Sequence, residues 1–263
     1  MEPMTAPDVP RAGHHENPLA VLQAVARTAV LGPGIDDETA ALCRTPLGPF
    51  DDPPPGRLWT EWSRIATEGT FVTAALAALV ATGWITHLPV LDALRGVEQD
   101  RGWHPEGDVF THAGLAADLA ARLADAAGLT EDDRAVVVLA ALLHDVGKVT
   151  HTEHRRRPDG SLRITSHGHA EAGVGPARDF LRRVGAPPHL QERILPLVRE
   201  HMATASTASP SAGAVTRLAH RLAPATMAEW ALVCDADKGG RGPGSVSGGT
   251  DRWMRLAAEL GLP

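Results

Sequence analysis

The sequence predicts an all-α fold. Three observations carry it. Apolar residues recur at three- and four-residue spacing through most of the 263-residue chain. Capping residues precede several of these stretches and glycine or proline follows them. No run of β-branched residues bounded by turn signals demands a strand.

Bulk properties narrow the function classes. The chain is 43% hydrophobic and 22% charged, ordinary for a soluble globular protein. Its length suits one large domain or two small ones. A net charge of −7 excludes a surface built throughout to coat nucleic acid, while leaving room for a local basic patch. The two cysteines, Cys43 and Cys234, make neither a disulfide framework nor a thiolate metal site, and suit a reducing cytosol. The first residues lack a basic start and an apolar stretch, so no signal peptide is expected. The longest apolar run, 71–80, is too short to span a bilayer. A cytoplasmic protein with no membrane partner is therefore expected. Tyrosine is absent, which leaves acid–base chemistry to His, Asp, Glu, Lys or metal-bound water.

Taken in order, residues 1–17 are rich in proline and polar groups and read as a disordered tail, His14 and His15 included. Pro18 opens a helical pattern with Leu19, Val21, Leu22, Val25 and Val30 as its apolar positions. A short helix follows at 37–44, then a proline-rich connection. Residues 57–94 turn helical again: Trp59, Trp62, Ile65 and Ala66 share a face, and 70–82 is apolar enough to be buried. Trp84 and Trp103 are candidates for stacking on bases, but core packing, the commoner role of large aromatics, is expected of both. Asp108 caps a helix over 109–127 that carries His112 in its first turn. Gly128 closes it, and Thr130 caps the next, whose acidic first turn complements the dipole. That helix delivers His144 and Asp145 near its C-terminal end, and Gly147 ends it. Residues 150–167 form a loop or short hairpin around Pro158-Asp159-Gly160. Helices over 170–184, 214–222, 227–238 and 253–260 complete the chain, with one more ending near His201 and interrupted by Pro196. Residues 239–249 read as a flexible glycine-rich loop.

The chemistry gathers around residues 139–149. An apolar run, 136–143, leads straight into His144 and Asp145. Both groups resist burial unless they are hydrogen-bonded, paired or bound to metal. His112 precedes them, and His169, His201 and Asp237 follow, each in a helical segment. Imidazole and carboxylate together suit a divalent ion such as Mn, Fe, Ni, Co, Zn or Mg, and the lack of thiolate argues against a structural zinc. Adjacent side chains splay by roughly 100° on a helix. His144 and Asp145 therefore reach a metal only at the helix edge, with ligands from neighbouring helices. Asp145, with two oxygens, is the natural bridge between two ions. His112, His144 and Asp237 would complete one, and His169 with His201 the other; His167 is the alternative from its segment. Two such ions clamp the attacking and leaving oxygens of a phosphate ester. His144, Asp145 and Lys148 are the catalytic candidates. Lys148, Arg155, Arg163 and Arg241 are the candidates for binding phosphate oxygens, although the basic stretch 150–167 also reads as a solvated loop. Cys234 reads as a packed small residue rather than a nucleophile.

These residues resemble the H…HD…D pattern of the HD superfamily of metal-dependent phosphohydrolases. His112, His144-Asp145 and Asp237 match the core motif, and His169 and His201 the extra pair of two-metal members. Further segments are similar to the C-terminal HD-domain region of bacterial CCA-adding tRNA nucleotidyltransferases: GVEQD from Gly96, WHPEGDVFTH from Trp103, HDVGK from His144, RITSHGHAEAG from Arg163 and CDADKGGR from Cys234. The resemblance covers most of 57–242. It implies an HD-domain helical fold over 101–263 with an N-terminal helical extension over 18–100. No strand–turn with paired metal-binding carboxylates, as in the nucleotidyltransferase head of those enzymes, is found, so nucleotide addition is not expected of this chain. What the resemblance does imply is a phosphohydrolase or phosphodiesterase with about two divalent ions. Its expected substrates are nucleotides or RNA ends carrying a 2′,3′-cyclic phosphate, a 2′-phosphate or another phosphomonoester. Two other readings remain open: a di-iron oxygenase of the same superfamily, and a non-enzymatic tRNA-binding partner of a separate nucleotidyltransferase head.

Overall fold

The computed structural model describes residues 17–48, 50–206, 209–242 and 249–263. The tail expected over 1–17 lies outside them except for Asn17, as do residues 243–248 of the glycine-rich loop.

Asn17 caps α1 (Pro18–Leu31), its Oδ1 accepting from the Leu19 and Ala20 amides. α2 (Asp37–Leu42) follows, then α3 (Pro55–Glu68) and α4 (Val72–Thr82). α1 lies against both α3 and α4. Trp84, fully buried after α4, donates its indole N–H to Pro18 O at 2.9 Å and fixes the start of α1. α5 (Pro89–Asp92) leads into the loop before α6 (Val109–Ala126). α6 turns a face of alanines inward, among them Ala113, Ala116, Ala117 and Ala120. Such small side chains let α7 (Glu131–Leu143) and later helices approach closely.

α7 is the axis of the fold. Every residue from 134 to 143 is buried, which requires neighbours on all sides. α3 and α6 supply two of them. The one cation in this stretch, Arg134, is satisfied by its surroundings. It donates to Ala66 O at 2.6 Å, Gly69 O at 3.0 Å and the Asp125 carboxylate at 2.6 Å. It thereby occupies carbonyls at the C-terminal end of α3, which the helix itself leaves unpaired.

The helix ends one residue before His144. Residues 144–147 form a turn, and α8 (Lys148–His151) begins a short new helix. The expectation that α7 would carry His144 and Asp145 to Gly147 is corrected here: both sit in the exit turn. A hairpin follows, β1 (Glu153–Arg156) antiparallel to β2 (Leu162–Thr165), with Arg155 opposite Arg163. Asp159 accepts from the Ser161 amide at 2.9 Å, and Gly160 takes the φ of +84° that the turn needs. Both strands are only four residues long and β1 is wholly polar, so the short alternation of Leu162 and Ile164 with Arg163 and Thr165 in β2 is the one period-two signal in the hairpin.

α9 (His169–Ala172), α10 (Val174–Val184), α11 (Pro188–Glu200), α12 (Ala203–Ser206), α13 (Ala212–Leu222), α14 (Met227–Gly239) and α15 (Asp251–Glu259) complete the chain. α11 and α14 close the remaining sides of α7, and α13 and α15 pack outside them. Arg193 of α11 pairs with Asp133 and Glu229, tying the first turns of α7 and α14 together. Among the described residues the fold is all-α with one small hairpin. No helix among the described residues is long and apolar enough to cross a membrane.

Asp108 anchors the start of α6. Its Oδ1 accepts from the Thr111 amide at 2.9 Å and its Oδ2 from the Gly96 amide at 2.7 Å. Burial opposes ionisation, but these donors outweigh it and hold the carboxyl below its ordinary range. Asp108→Ala is expected to cost about 1–2 kcal/mol at neutral pH in denaturant titration. A depressed folded value means the contribution is complete above the unfolded value of 3.8 and fades as pH falls through the folded one. The gap between wild type and variant should therefore narrow in acid; a gap that widens there contradicts the assignment.

Candidate metal centre

Five segments bring six side chains to one buried point. The start of α6 supplies His112, the exit of α7 His144 and Asp145, the start of α9 His169, the end of α11 His201, and α14 Asp237. All six are buried, with Asp145 only 1% exposed.

The four imidazoles share one orientation. His144 Nδ1 donates to Ala141 O at 2.6 Å, His169 Nδ1 to Ser166 O at 2.6 Å and His201 Nδ1 to Val198 O at 2.8 Å. A carbonyl can only accept, so each Nδ1 carries a proton. His112 Nδ1 lies 2.7 Å from Glu106 Oε1. Every Nε2 therefore points inward, and a neutral ring presents a lone pair there. The Nε2 atoms pair up: His112 with His144 at 3.2 Å, His169 with His201 at 3.1 Å. Two lone pairs at that distance repel unless a proton or a cation lies between them.

Asp145 stands between the pairs. Its Oδ2 is 3.2 Å from His144 Nε2 and 3.7 Å from His112 Nε2; its Oδ1 is 3.0 Å from His169 Nε2 and 3.7 Å from His201 Nε2. Asp237 Oδ1 joins the first pair, 3.2 Å from His112 Nε2 and 3.7 Å from His144 Nε2. Two donor sets result, His112, His144 and Asp145 in one and Asp145, His169 and His201 in the other, each with its atoms close enough to hold one ion. Imidazole nitrogen with carboxylate oxygen is a donor set that fits a divalent cation.

Electrostatics follow from burial and contact. Burial works against ionised Asp145, yet the neighbouring His144 and Lys148 hold its carboxyl well below the usual range. Burial is likewise outweighed at Asp237 by His112, His144 and Arg241. His112, despite its burial, is pushed up to about 9 by Asp237 and Glu106, whereas burial and the nearby His144 push His201 down to about 3.

Backbone packing sets the exit turn. A Cβ placed on Gly147 would lie 2.0 Å from His169 O and 2.6 Å from Gly173 N. Only a bare α-carbon lets the turn carrying Asp145 touch the start of α9 carrying His169. Lys148, next in the chain, lies 2.6 Å from Asp145 Oδ2 and donates to Gln99 Oε1 at 2.7 Å.

The centre opens into a cavity of about 580 Å³ lined by Asp145, Lys148, His169, His201 and Asp237 and ringed by Arg157, Arg163, Lys238 and Arg241. Arg241 also donates to Asp237 Oδ1 at 2.9 Å. Of the expected phosphate-binding residues, Lys148, Arg163 and Arg241 reach the cavity. Arg155 does not: it is exposed and turned back on Glu153 of its own strand at 2.7 Å. His169 is the imidazole turned inward; His167 lies exposed on the cavity wall. Cys234 is buried, with its Sγ donating to His201 O at 3.2 Å, and burial pushes its thiol up, as suits a packed residue. Trp103 corrects an expectation: it is 71% exposed at the cavity edge rather than in the core. Sequence reasoning also missed Glu106 and His104. Glu106 Oε1 touches both His112 and His104, the latter at 2.9 Å. Such a carboxylate behind an imidazole fixes its tautomer and orientation. The available signal was an acidic residue in the Pro- and Gly-punctuated loop six positions before His112.

A helical body with imidazoles and carboxylates from five segments at a common buried point defines a protein built around divalent-cation chemistry. The family comparison gives that class a name. Residues 109–238 match the HD domain. HD domains bind divalent metal ions, and all six residues fall within the matched segment. Over 236 residues the chain is 36% identical to the multifunctional CCA protein of Xanthomonas campestris pv. campestris (strain B100), covering 86% of this chain and 54% of the relative. The multifunctional CCA protein of Xylella fastidiosa (strain M23) is 34% identical over the same length, 53% of it covered. The chain thus spans about half the length of these curated relatives.

Gly147→Ala tests the contact that joins the two halves of the centre. Overpacking there is expected to cost about 1–3 kcal/mol in denaturant titration. A variant within about 0.5 kcal/mol of wild type, the range of neutral surface changes, would show that the exit turn does not depend on this approach.

Proposed function

We propose that the protein is a metal-dependent phosphohydrolase acting on nucleotides or RNA ends. The observation that carries this reading is Asp145, whose two oxygens each face a separate pair of imidazole Nε2 atoms. In this reading His112, His144, Asp145 and Asp237 hold one divalent ion, and Asp145, His169 and His201 hold a second. Such ions, when bound, supply Lewis acidity and a nucleophilic water at neutral pH.

The chain's own residues do the rest. The Nδ1 anchors on Ala141, Ser166, Val198 and Glu106 hold the donor atoms in place, so little reorganisation is needed during reaction. Lys148, held between Asp145 and Gln99, stands ready to turn its ammonium to a non-bridging phosphate oxygen. Arg163 and Arg241 offer planar donor pairs at the cavity wall, the geometry that suits phosphate. Five cations against three carboxylates at one cavity, in a chain of net charge −7, favour a single terminal phosphate over a long polymer. The favoured substrates are therefore 2′,3′-cyclic phosphates, 2′-phosphates or other phosphomonoesters on mononucleotides or RNA ends. A tRNA end is the candidate that the likeness to CCA proteins supports. We also propose that residues 18–100 act as a helical buttress for an HD domain over 101–263.

The test is a panel of cyclic nucleotides, 2′- and 3′-mononucleotides and simple phosphomonoesters, assayed with Mn, Ni, Co, Mg and Fe. Hydrolysis of at least one phosphate ester is expected, abolished by Asp145→Ala. Lys148→Ala is expected to lower kcat/KM by about ten- to a thousandfold, as loss of one charge-stabilising group does. Inactivity on every phosphate ester would overturn the hydrolase reading; oxygen uptake with iron would replace it with an oxygenase.

A further inference from the structure

Trp103 is out of place for a large aromatic. The other tryptophans of the chain are buried or half-buried, whereas Trp103 is 71% exposed. It stands on the wall of the cavity that contains Asp145 and Lys148. Its backbone is fixed: the Trp103 and His104 amides both donate to Asp100 O at 2.9 Å, and Asp100 Oδ1 accepts from the Gly102 amide at 3.0 Å. An indole presented to solvent on an ordered turn beside a reaction cavity is a stacking platform available to a ligand.

The space beside it supports the same reading. A second cavity, of about 960 Å³, lies between the 96–108 loop and β2. It shares Gln99, Asp100, His104 and Ile164 with the first, so the two adjoin. Their linings differ in charge. The first carries five cations, Lys148, Arg157, Arg163, Lys238 and Arg241, against three carboxylates, Asp100, Asp145 and Asp237. The second carries the carboxylates Glu98, Asp100 and Asp108, the single cation Arg101, and the apolar Leu162 and Ile164. Glu98 also pairs with His154 at 2.9 Å, which joins the loop to the hairpin. The two cavities together present cations to one end of a ligand and an aromatic face, apolar side chains and hydrogen-bond acceptors to the other. A nucleotide has the complementary layout: an anionic phosphate, then a flat heteroaromatic ring with N–H donors at its edge.

We propose that Trp103 and the adjoining chamber form the subsite for the substrate's nucleobase, with the indole stacking on the ring and Asp100 available to its amino groups. The subsite makes the enzyme select nucleoside phosphates over phosphate esters without a ring. This rests on the hydrolase reading, and the experiment separates the two. Adenosine 2′-monophosphate and glycerol 2-phosphate are compared as substrates of the metal-loaded wild type, Trp103→Ala and Trp103→Phe. Trp103→Ala is expected to shrink the preference for the nucleotide by about five- to a hundredfold, the weight of one stacked base, and Trp103→Phe to retain most of it. Independently of turnover, adenosine alone is expected to quench tryptophan fluorescence in the wild type and not in Trp103→Ala. If no phosphate ester of the panel is hydrolysed, the hydrolase reading fails while the quenching still decides the subsite. Equal quenching in wild type and Trp103→Ala, or an unchanged preference between the two esters, overturns the base-binding role.

Discussion

Asp145 is a carboxylate with almost no access to water, at the point where five segments meet. An isolated charge there would cost far more than a domain's whole stability. It is tolerated because each oxygen faces a pair of imidazoles and one oxygen also faces Lys148. The rest of the molecule supplies these partners. α7 is buried on every side so that its exit turn opens at the centre. Gly147 has no side chain, so α9 can bring His169 within reach. The carbonyls of Ala141, Ser166 and Val198 hold three rings by Nδ1 and leave Nε2 for the centre. A buried anion flanked by inward-turned lone pairs has room for positive charge. That requirement links the fold to divalent-cation chemistry.

Charge is distributed around this point on two scales. Close in, carboxylates and imidazoles form the donor sets. Farther out, lysine and arginine line the cavity mouth, and beyond them acids and apolar groups line the adjoining chamber. The loop 96–108 belongs to all three zones: Glu106 backs His112, Gln99 holds Lys148, and Trp103 faces the opening. Asp108 fixes this loop to α6 through Gly96 and Thr111, so one capping residue positions both a candidate ligand and the candidate recognition surface.

Helices and caps were legible in the sequence because they are local. Asp108, Thr130 and the apolar run 136–143 each act within a turn or two of chain. The clustering of the six candidate residues was legible because so many ionisable groups at the ends of apolar helices is uncommon. Other features depended on contacts far apart in sequence. His167 and His169 differ only in which side of the α9 entry they occupy, and spacing alone cannot choose. Arg155 and Arg163 face each other across the hairpin, yet Glu153 holds the first away from the cavity. Glu106 acts across a turn onto His112, a link without a periodic signature. Trp103 looked like core material by type, but the core is filled by Trp62, Trp84 and Trp230.

The central claim is that Asp145 joins two cation sites of different composition. The most direct measurement is anomalous X-ray diffraction from crystals of the protein loaded with manganese, recorded at the manganese edge. The account predicts two anomalous peaks, one among His112, His144 and Asp237 and the other between His169 and His201, with one Asp145 oxygen directed at each. A single peak, or peaks that Asp145 does not contact, would contradict it.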